Sequence, residues 1–155
     1  MSQEALPTAP TPKRPGAFYR WSFRTLDAVH GFLYRRGLGR SMGRMPQILL
    51  TTTGRKTGKP HTVPLGAVRE GDGWAVIASF NGADVHPNWW LNLVAHPEAT
   101  IQVGDQSINV RMQEITNPED RERIWNTAVS LVKRYASYAK KTGRVIPLGL
   151  LRPIT

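Results

Sequence analysis

From Gln47 to Glu114 the chain alternates short runs of aliphatic and β-branched residues with glycine-rich breaks. Runs at about 47–53, 61–69, 74–80, 98–104 and 107–114 have strand length and composition, and Gly71-Asp72-Gly73 has the chemistry of a hairpin turn. Strands this short and closely spaced predict a barrel. Three stretches carry helical spacing instead. From Ala17 to about Arg36, the residues Phe18, Trp21, Leu26, Val29, Phe32 and Leu33 recur at helical intervals among arginines, which predicts a basic amphipathic helix. Residues 86–97, HPNWWLNLVAHP, are bounded by prolines and predict two or three helical turns. After the fifth run, Asn117 suits an N-cap, Pro118 the first helical position, and Glu119 and Asp120 the positive end of the helix dipole. A helix of about twenty residues is predicted there, with Ile124, Ala128, Leu131, Val132 and Tyr135 in one stripe; Gly143 stops it, and Val145 to Leu151 can add a last strand.

Length and composition fit one compact domain with an N-terminal extension. The chain has 155 residues, 40% of them apolar, and 12 prolines, too short for a core to divide. Four of those prolines, Pro7, Pro10, Pro12 and Pro15, lie among small polar residues, so residues 1–16 are expected to be a disordered tail. Residues 17–44 are the basic helix and its glycine-rich linker, and 45–155 the barrel domain. The N-terminus has acidic and proline-rich residues where a secretory signal needs a basic start and an apolar block, so a cytoplasmic protein is expected.

Charge and residue usage narrow the chemistry. There are no cysteines, which excludes disulfides, thiolate metal sites and a cysteine nucleophile, and the 4 histidines show no metal-ligand spacing, so no metal is expected. The net charge of +10 calls for an anionic partner: nucleic acid, a membrane surface or a phosphorylated ligand. Much of it lies early, because Lys13, Arg14, Arg20, Arg24, Arg35, Arg36, Arg40 and Arg44 face only Glu4 and Asp27.

Four stretches are candidates for a site. Thr51 to Pro60 is a glycine-bracketed turn bearing Arg55, Lys56 and Lys59, able to offer backbone N–H groups, hydroxyls and positive charge to a phosphate. It is not a P-loop, since Lys59 precedes Pro60 and a strand instead of a hydroxyl residue and a helix; the plain alternative is a basic hairpin. Pro60-His61-Thr62-Val63-Pro64-Leu65 places two prolines in a strand-like run, which argues for an edge or bulged strand whose unpaired backbone groups can hold the rim of a flat heterocycle. Asn81 to Trp90 is a turn-rich loop leading into two indoles that could wall an aromatic-sized pocket. Tyr135 and Tyr138 share a helix face, where their phenols could donate to a bound carbonyl. For the indoles and phenols, packing is the default alternative.

Taken together, ILLTTTGRKTGKPHTVPL, SFNGADVHPNWWLNL with AHPEATIQV, and the closing RVIPL resemble the deazaflavin-dependent nitroreductase family of actinobacteria over about residues 45 to 150. The resemblance implies a mainly β fold with flanking helices, a split β-barrel of the flavin-reductase and pyridoxamine-phosphate-oxidase kind. It implies reduced coenzyme F420, an 8-hydroxy-5-deazaflavin, as cofactor, its phosphate and polyglutamate tail near Gly54, Arg55, Lys56 and Lys59, and its ring along Pro60, His61, Thr62, Val63, Pro64 and Leu65. Ala78, Ser79, Pro87, Asn88, Trp89, Trp90 and Leu91 would complete the coenzyme site, and Ser79, Tyr135 and Tyr138 would supply the hydroxyls facing the acceptor. The family pattern often has Trp-Tyr at Trp89-Trp90.

The implied acceptor is a small apolar molecule, a quinone of the menaquinone type or a nitroaromatic. A fatty acyl or other apolar substrate for the same coenzyme is a second reading. A third, from another class, is a non-enzymatic basic barrel for single-stranded nucleic acid. The concentration of charge in the tail and first helix, away from the strands, argues against it, and no nucleic acid is expected. That basic helix could instead rest on an anionic membrane at the inner face of the cell. Oligomeric state is not legible.

Overall fold

A computed structural model describes residues 44–154; the expected tail and all but the last residue of the 17–44 segment lie outside it. Six antiparallel strands close into a barrel in the order β1-β2-β3-β6-β5-β4: β1 (Gln47–Thr53), β2 (Pro60–Glu70), β3 (Gly73–Ile77), β4 (Glu98–Val103), β5 (Gln106–Glu114) and β6 (Leu148–Pro153). The β2–β3 turn is the predicted one, with Gly71 at φ +57°, the backbone that the first central residue of such a hairpin needs. Three helices accompany the barrel: α1 (Asn88–Ala95), α2 (Pro118–Leu131) and α3 (Arg134–Lys141).

Two apolar clusters hold these parts together. Ile48, Leu50, Ala67, Trp74, Val76, Ile101, Val110 and Leu151 fill the barrel, and Leu93 of α1 joins them. A second cluster between the outside of the barrel and α2–α3 contains Met45, Val68, Ala75, Ile77, Ile124, Ala128, Tyr135, Tyr138 and Leu148. Strand β3 serves both, since Trp74 and Val76 point one way and Ala75 and Ile77 the other, as the two-residue period of a strand dictates. All five of its residues are buried.

The helical expectations need one correction. Asn117 caps α2 through its side-chain oxygen, which accepts from Glu119 N–H (3.0 Å) and Asp120 N–H (3.1 Å). The single helix of about twenty residues is, however, two helices broken at Val132, whose φ of −139° and ψ of 96° are extended. No proline or glycine marks the break. It redirects the chain so that Tyr135 and Tyr138 of α3 enter the second cluster along with Ile124 and Ala128 of α2.

Two strands also differ from expectation at the edges of the site. The third ends at Ile77, not at residue 80, because Phe80 and Asn81 turn left-handed, with φ of 45° and 54°. The last runs Leu148–Pro153, not 145–151, because the chain before it is engaged in side-chain contacts with the loop after β3.

Candidate active site

The basic turn between β1 and β2 is closed by its own backbone: Gly54 N–H donates to Lys59 C=O and Gly58 N–H to Gly54 C=O, both at 2.8 Å. Gly58 sits at φ +69°. A Cβ on Gly54 would lie 2.8 Å from both His61 Nε2 and Thr57 Oγ1, so glycine is needed for the turn to fold onto β2. Lys56 and Lys59 are exposed and Arg55 half-buried.

Arg55 is held by side chains of α1. Asn92 of α1 accepts from Arg55 backbone N–H (3.2 Å) and from its guanidinium (3.1 Å) through the same Oδ1, and donates from Nδ2 to Thr52 Oγ1 (3.1 Å). Asn88 Oδ1 accepts a further guanidinium bond at 3.3 Å. Asn92 is 4% exposed. A buried amide whose donor and acceptor are both used fixes a geometry, and what it fixes here is the cationic turn against the start of α1. Sequence reading missed Asn92; its place four residues after Asn88 on one helix face was the available signal.

Next to the turn, β2 pairs with β1 from Pro60↔Thr53 to Gly66↔Gln47, and with β3 only from Ala67↔Val76 to Glu70↔Gly73. Among the described residues, 60–66 therefore have a strand on one flank alone, which is why two prolines are tolerated there. His61 and Pro64 are exposed, while Thr62, Val63 and Leu65 are half-buried. Thr62 Oγ1 lies 2.8 Å from Thr51 Oγ1.

The chain from Ala78 to Leu91 borders the same region. Ala78 and Ser79 are buried, Pro87 C=O accepts from the N–H groups of Trp90 and Leu91, and Leu91 is half-buried. Trp89 packs against the barrel cluster. Trp90 is 3% exposed, stands edge-on to Trp89 with ring centroids 6.1 Å apart, and covers Gly149, where a Cβ would come within 2.8 Å of its ring. Trp90 thus seats α1 on β6. Of the phenols, Tyr135 points to Met45 Sδ (3.9 Å) inside the second cluster, and Tyr138 donates to Asn81 Oδ1 (3.1 Å). The rings pack edge-to-face at 5.6 Å. Burial, and secondarily Tyr138 beside it, pushes the Tyr135 phenol pKa above its ordinary value.

The donor set suits a ligand with an anionic tail and a flat ring: a glycine turn with three cations, one fixed in place, beside a strand flank that no other strand of the described residues covers. No group of residues able to hold a metal ion occurs among the described residues. A barrel with such a flank and turn defines a class of protein able to bind a flat, anionic ligand.

Comparison with known proteins narrows this class. Residues 26–153 match the profile of the F420H(2)-dependent quinone reductase family. A quinone reductase of that name from Mycobacterium tuberculosis H37Rv is 34% identical over 129 residues, covering 79% of this chain and 87% of the relative. Among solved structures, an F420-H2-dependent reductase, FDR-A, superposes with a TM-score of 0.63 at 39% identity, covering 69% of this chain and 94% of that one. A Listeria innocua protein assigned as a pyridoxamine 5'-phosphate oxidase, 13% identical with a TM-score of 0.51 and covering 84% and 94%, shares the fold. The chain belongs to the F420H(2)-dependent quinone reductase family. It is a deazaflavin-dependent oxidoreductase, and its cofactor is reduced coenzyme F420.

Proposed function

We propose that this enzyme reduces a lipid-soluble quinone of the menaquinone type, with the coenzyme's phosphate and polyglutamate tail on the turn bearing Gly54, Arg55, Lys56 and Lys59. The observation that carries the placement is Arg55, whose guanidinium is held by Asn88 and Asn92. A cation ordered in advance loses less freedom on binding an anion. The Pro60–Leu65 flank and Ala78–Ser79 would border the ring, with Pro87, Asn88, Trp89 and Leu91 closing the α1 side.

When bound, the reduced coenzyme supplies the hydride that the quinone accepts. The protein's share is to align the partners and to exclude water, and a hydroxyl near the acceptor oxygen would steady or protonate it as charge develops. Ser79 and Tyr138 are the favoured donors, because Ser79 opens the turn after β3 and Tyr138 reaches Asn81 within it, whereas Tyr135 faces Met45. Nitroaromatics can take the same place.

The test is titration with reduced and oxidised coenzyme F420, then absorbance under turnover with menadione, with flavin mononucleotide plus a reduced nicotinamide as comparator. Tight binding and menadione-dependent oxidation of the coenzyme are expected. Absence of binding would remove the reading.

A membrane-surface role for the basic segment 17–44 is supported by its arginines and by the solubility of such quinones in lipid. No helix among the described residues is long and apolar enough to cross a bilayer. Replacement of Arg20, Arg24, Arg35 and Arg36 by glutamine in the full chain should reduce pelleting with anionic vesicles; equal pelleting would defeat the role.

A further inference from the structure

One arginine outside the turn has its guanidinium spread over four acceptors. Arg144, between α3 and β6, donates from Nε to Ala83 C=O (2.8 Å) and from one terminal nitrogen to both Ala78 C=O (3.0 Å) and Ser79 C=O (2.9 Å). Its other terminal nitrogen meets His86 Nδ1 at 3.0 Å. A guanidinium only donates, so Nδ1 accepts and the ring proton of His86 belongs on Nε2.

Between the carbonyls that Arg144 holds lies the most unusual backbone of the described chain. Phe80, Asn81 and Gly82 follow one another at φ of 45°, 54° and 80°. Glycine adopts this region freely and asparagine tolerates it, but phenylalanine does neither. Phe80 is 52% exposed, so burial of its ring does little to offset the strain. Such backbone persists only where the surroundings over-determine it. Here Gly82 N–H donates to Ser79 C=O and Ala83 N–H to Phe80 C=O, Tyr138 holds Asn81, and Thr142 Oγ1 donates to Asp84 at 2.8 Å. Arg144 brackets all of them.

We infer that Arg144 is a positioning residue for the acceptor side of the site: its guanidinium clamps Ala78–His86 in a left-handed turn that presents Ser79 and Phe80 to the reacting ligand. The inference rests on the proposed place of Ser79 beside the coenzyme. Two arginines then pin one segment at its two ends, Arg144 from Ala78 to His86 and Arg55 at Asn88, and only the second adjoins the anion-binding turn. Loss of Arg144 should therefore cost turnover more than it costs coenzyme affinity.

Arg144→Lys keeps the charge but has one compact ammonium that cannot span four acceptors. In the full-length variant, amide exchange at Gly82 and Ala83 should quicken at least about tenfold, as local opening becomes easier. Turnover with menadione, as kcat/KM, should fall about tenfold through misplacement of the reacting partners, while the dissociation constant of coenzyme F420 rises by at most about threefold, because the charge-assisted contacts of its tail at the Arg55 turn are left in place. Unchanged exchange or unchanged kcat/KM would overturn the inference, as would coenzyme affinity falling as far as turnover.

A second comparison does not depend on that variant folding. Phe80→Gly should melt about 3 °C above Phe80→Ala, the reverse of the usual order, because glycine alone is unstrained at that φ; Ala melting higher would sink the clamp. Failure of wild-type protein to bind the coenzyme would instead overturn the reading of the site, with exchange and melting still deciding the role of Arg144 in the turn.

Discussion

A single oxygen of Asn92 accepts from Arg55 twice, from the backbone N–H at 3.2 Å and from the guanidinium at 3.1 Å. A helix residue thereby sets both the path of the basic turn and the direction of its half-buried cation, across 37 positions of sequence. Asn92→Ala would leave Thr52 and Arg55 short of partners, which costs about 1–3 kcal/mol in buried surroundings. Its expected effect is a lower melting temperature and a coenzyme dissociation constant raised about tenfold, with kcat at saturating coenzyme nearly unchanged. Fluorescence titration beside steady-state kinetics separates the two, and a loss confined to kcat would show that Asn92 acts elsewhere.

Lys56 and Lys59 are exposed, and their contribution to an anionic tail should be electrostatic. Replacing either by glutamine is expected to weaken coenzyme binding by about fivefold to tenfold at low ionic strength, with a smaller effect in about 0.5 M salt, where screening is short-ranged. Titrations at the two salt concentrations provide the check; a loss independent of salt would contradict a role for their charge.

Tyr135 tests packing against chemistry. Its phenol pKa is raised by burial first and by Tyr138 second, so above about pH 10, where an unfolded tyrosine ionises, the unfolded chain releases a proton that the folded chain retains. Stability should fall through that window and fall less steeply in Tyr135→Phe. At neutral pH the variant is expected to turn over menadione within about twofold of wild type, as a residue acting through packing would. Melting from pH 8 to 11 together with kcat would decide; a tenfold loss of kcat would return the hydroxyl to the mechanism.

Arg123 joins α2 to the β2–β3 hairpin, donating to both carboxylate oxygens of Glu70 (2.9 and 2.6 Å) and to Asp120 (3.1 Å). Its hydrogen bonds hold the Glu70 carboxyl below its ordinary pKa, and partial burial opposes the shift. The stabilisation is therefore present above the usual glutamate range and lost as pH falls through the lower folded value. Arg123→Ala should lower the melting temperature slightly at pH 7 and not at pH 2. Differential scanning calorimetry at both values would test this, and an equal drop at each would indicate lost packing instead of lost charge.

The strands, the two-residue turn at Gly71 and the Asn117 cap were legible because each is specified locally. A period of two, a glycine free to take positive φ, and a side-chain acceptor ahead of Pro118 act over a few residues. The basic turn and the proline-bearing strand were legible for the same reason, and their order along the chain carried the family resemblance. The break at Val132 was not, since nothing within the helix forbids continuation and the gain comes from seating Tyr135 and Tyr138 on the barrel. Nor were Asn92 and Arg144, whose importance lies in partners 37 to 66 positions away. Their side chains have the same chemistry in any sequence, but only the closed barrel brings β1 to α1, and the loop after β3 to the residues before β6. The sequence by itself determined which groups could meet an anionic, flat coenzyme; the tertiary structure decided which of them are fixed at the turn, as Arg55 is, and which, like Trp90 and Tyr135, are buried among core side chains.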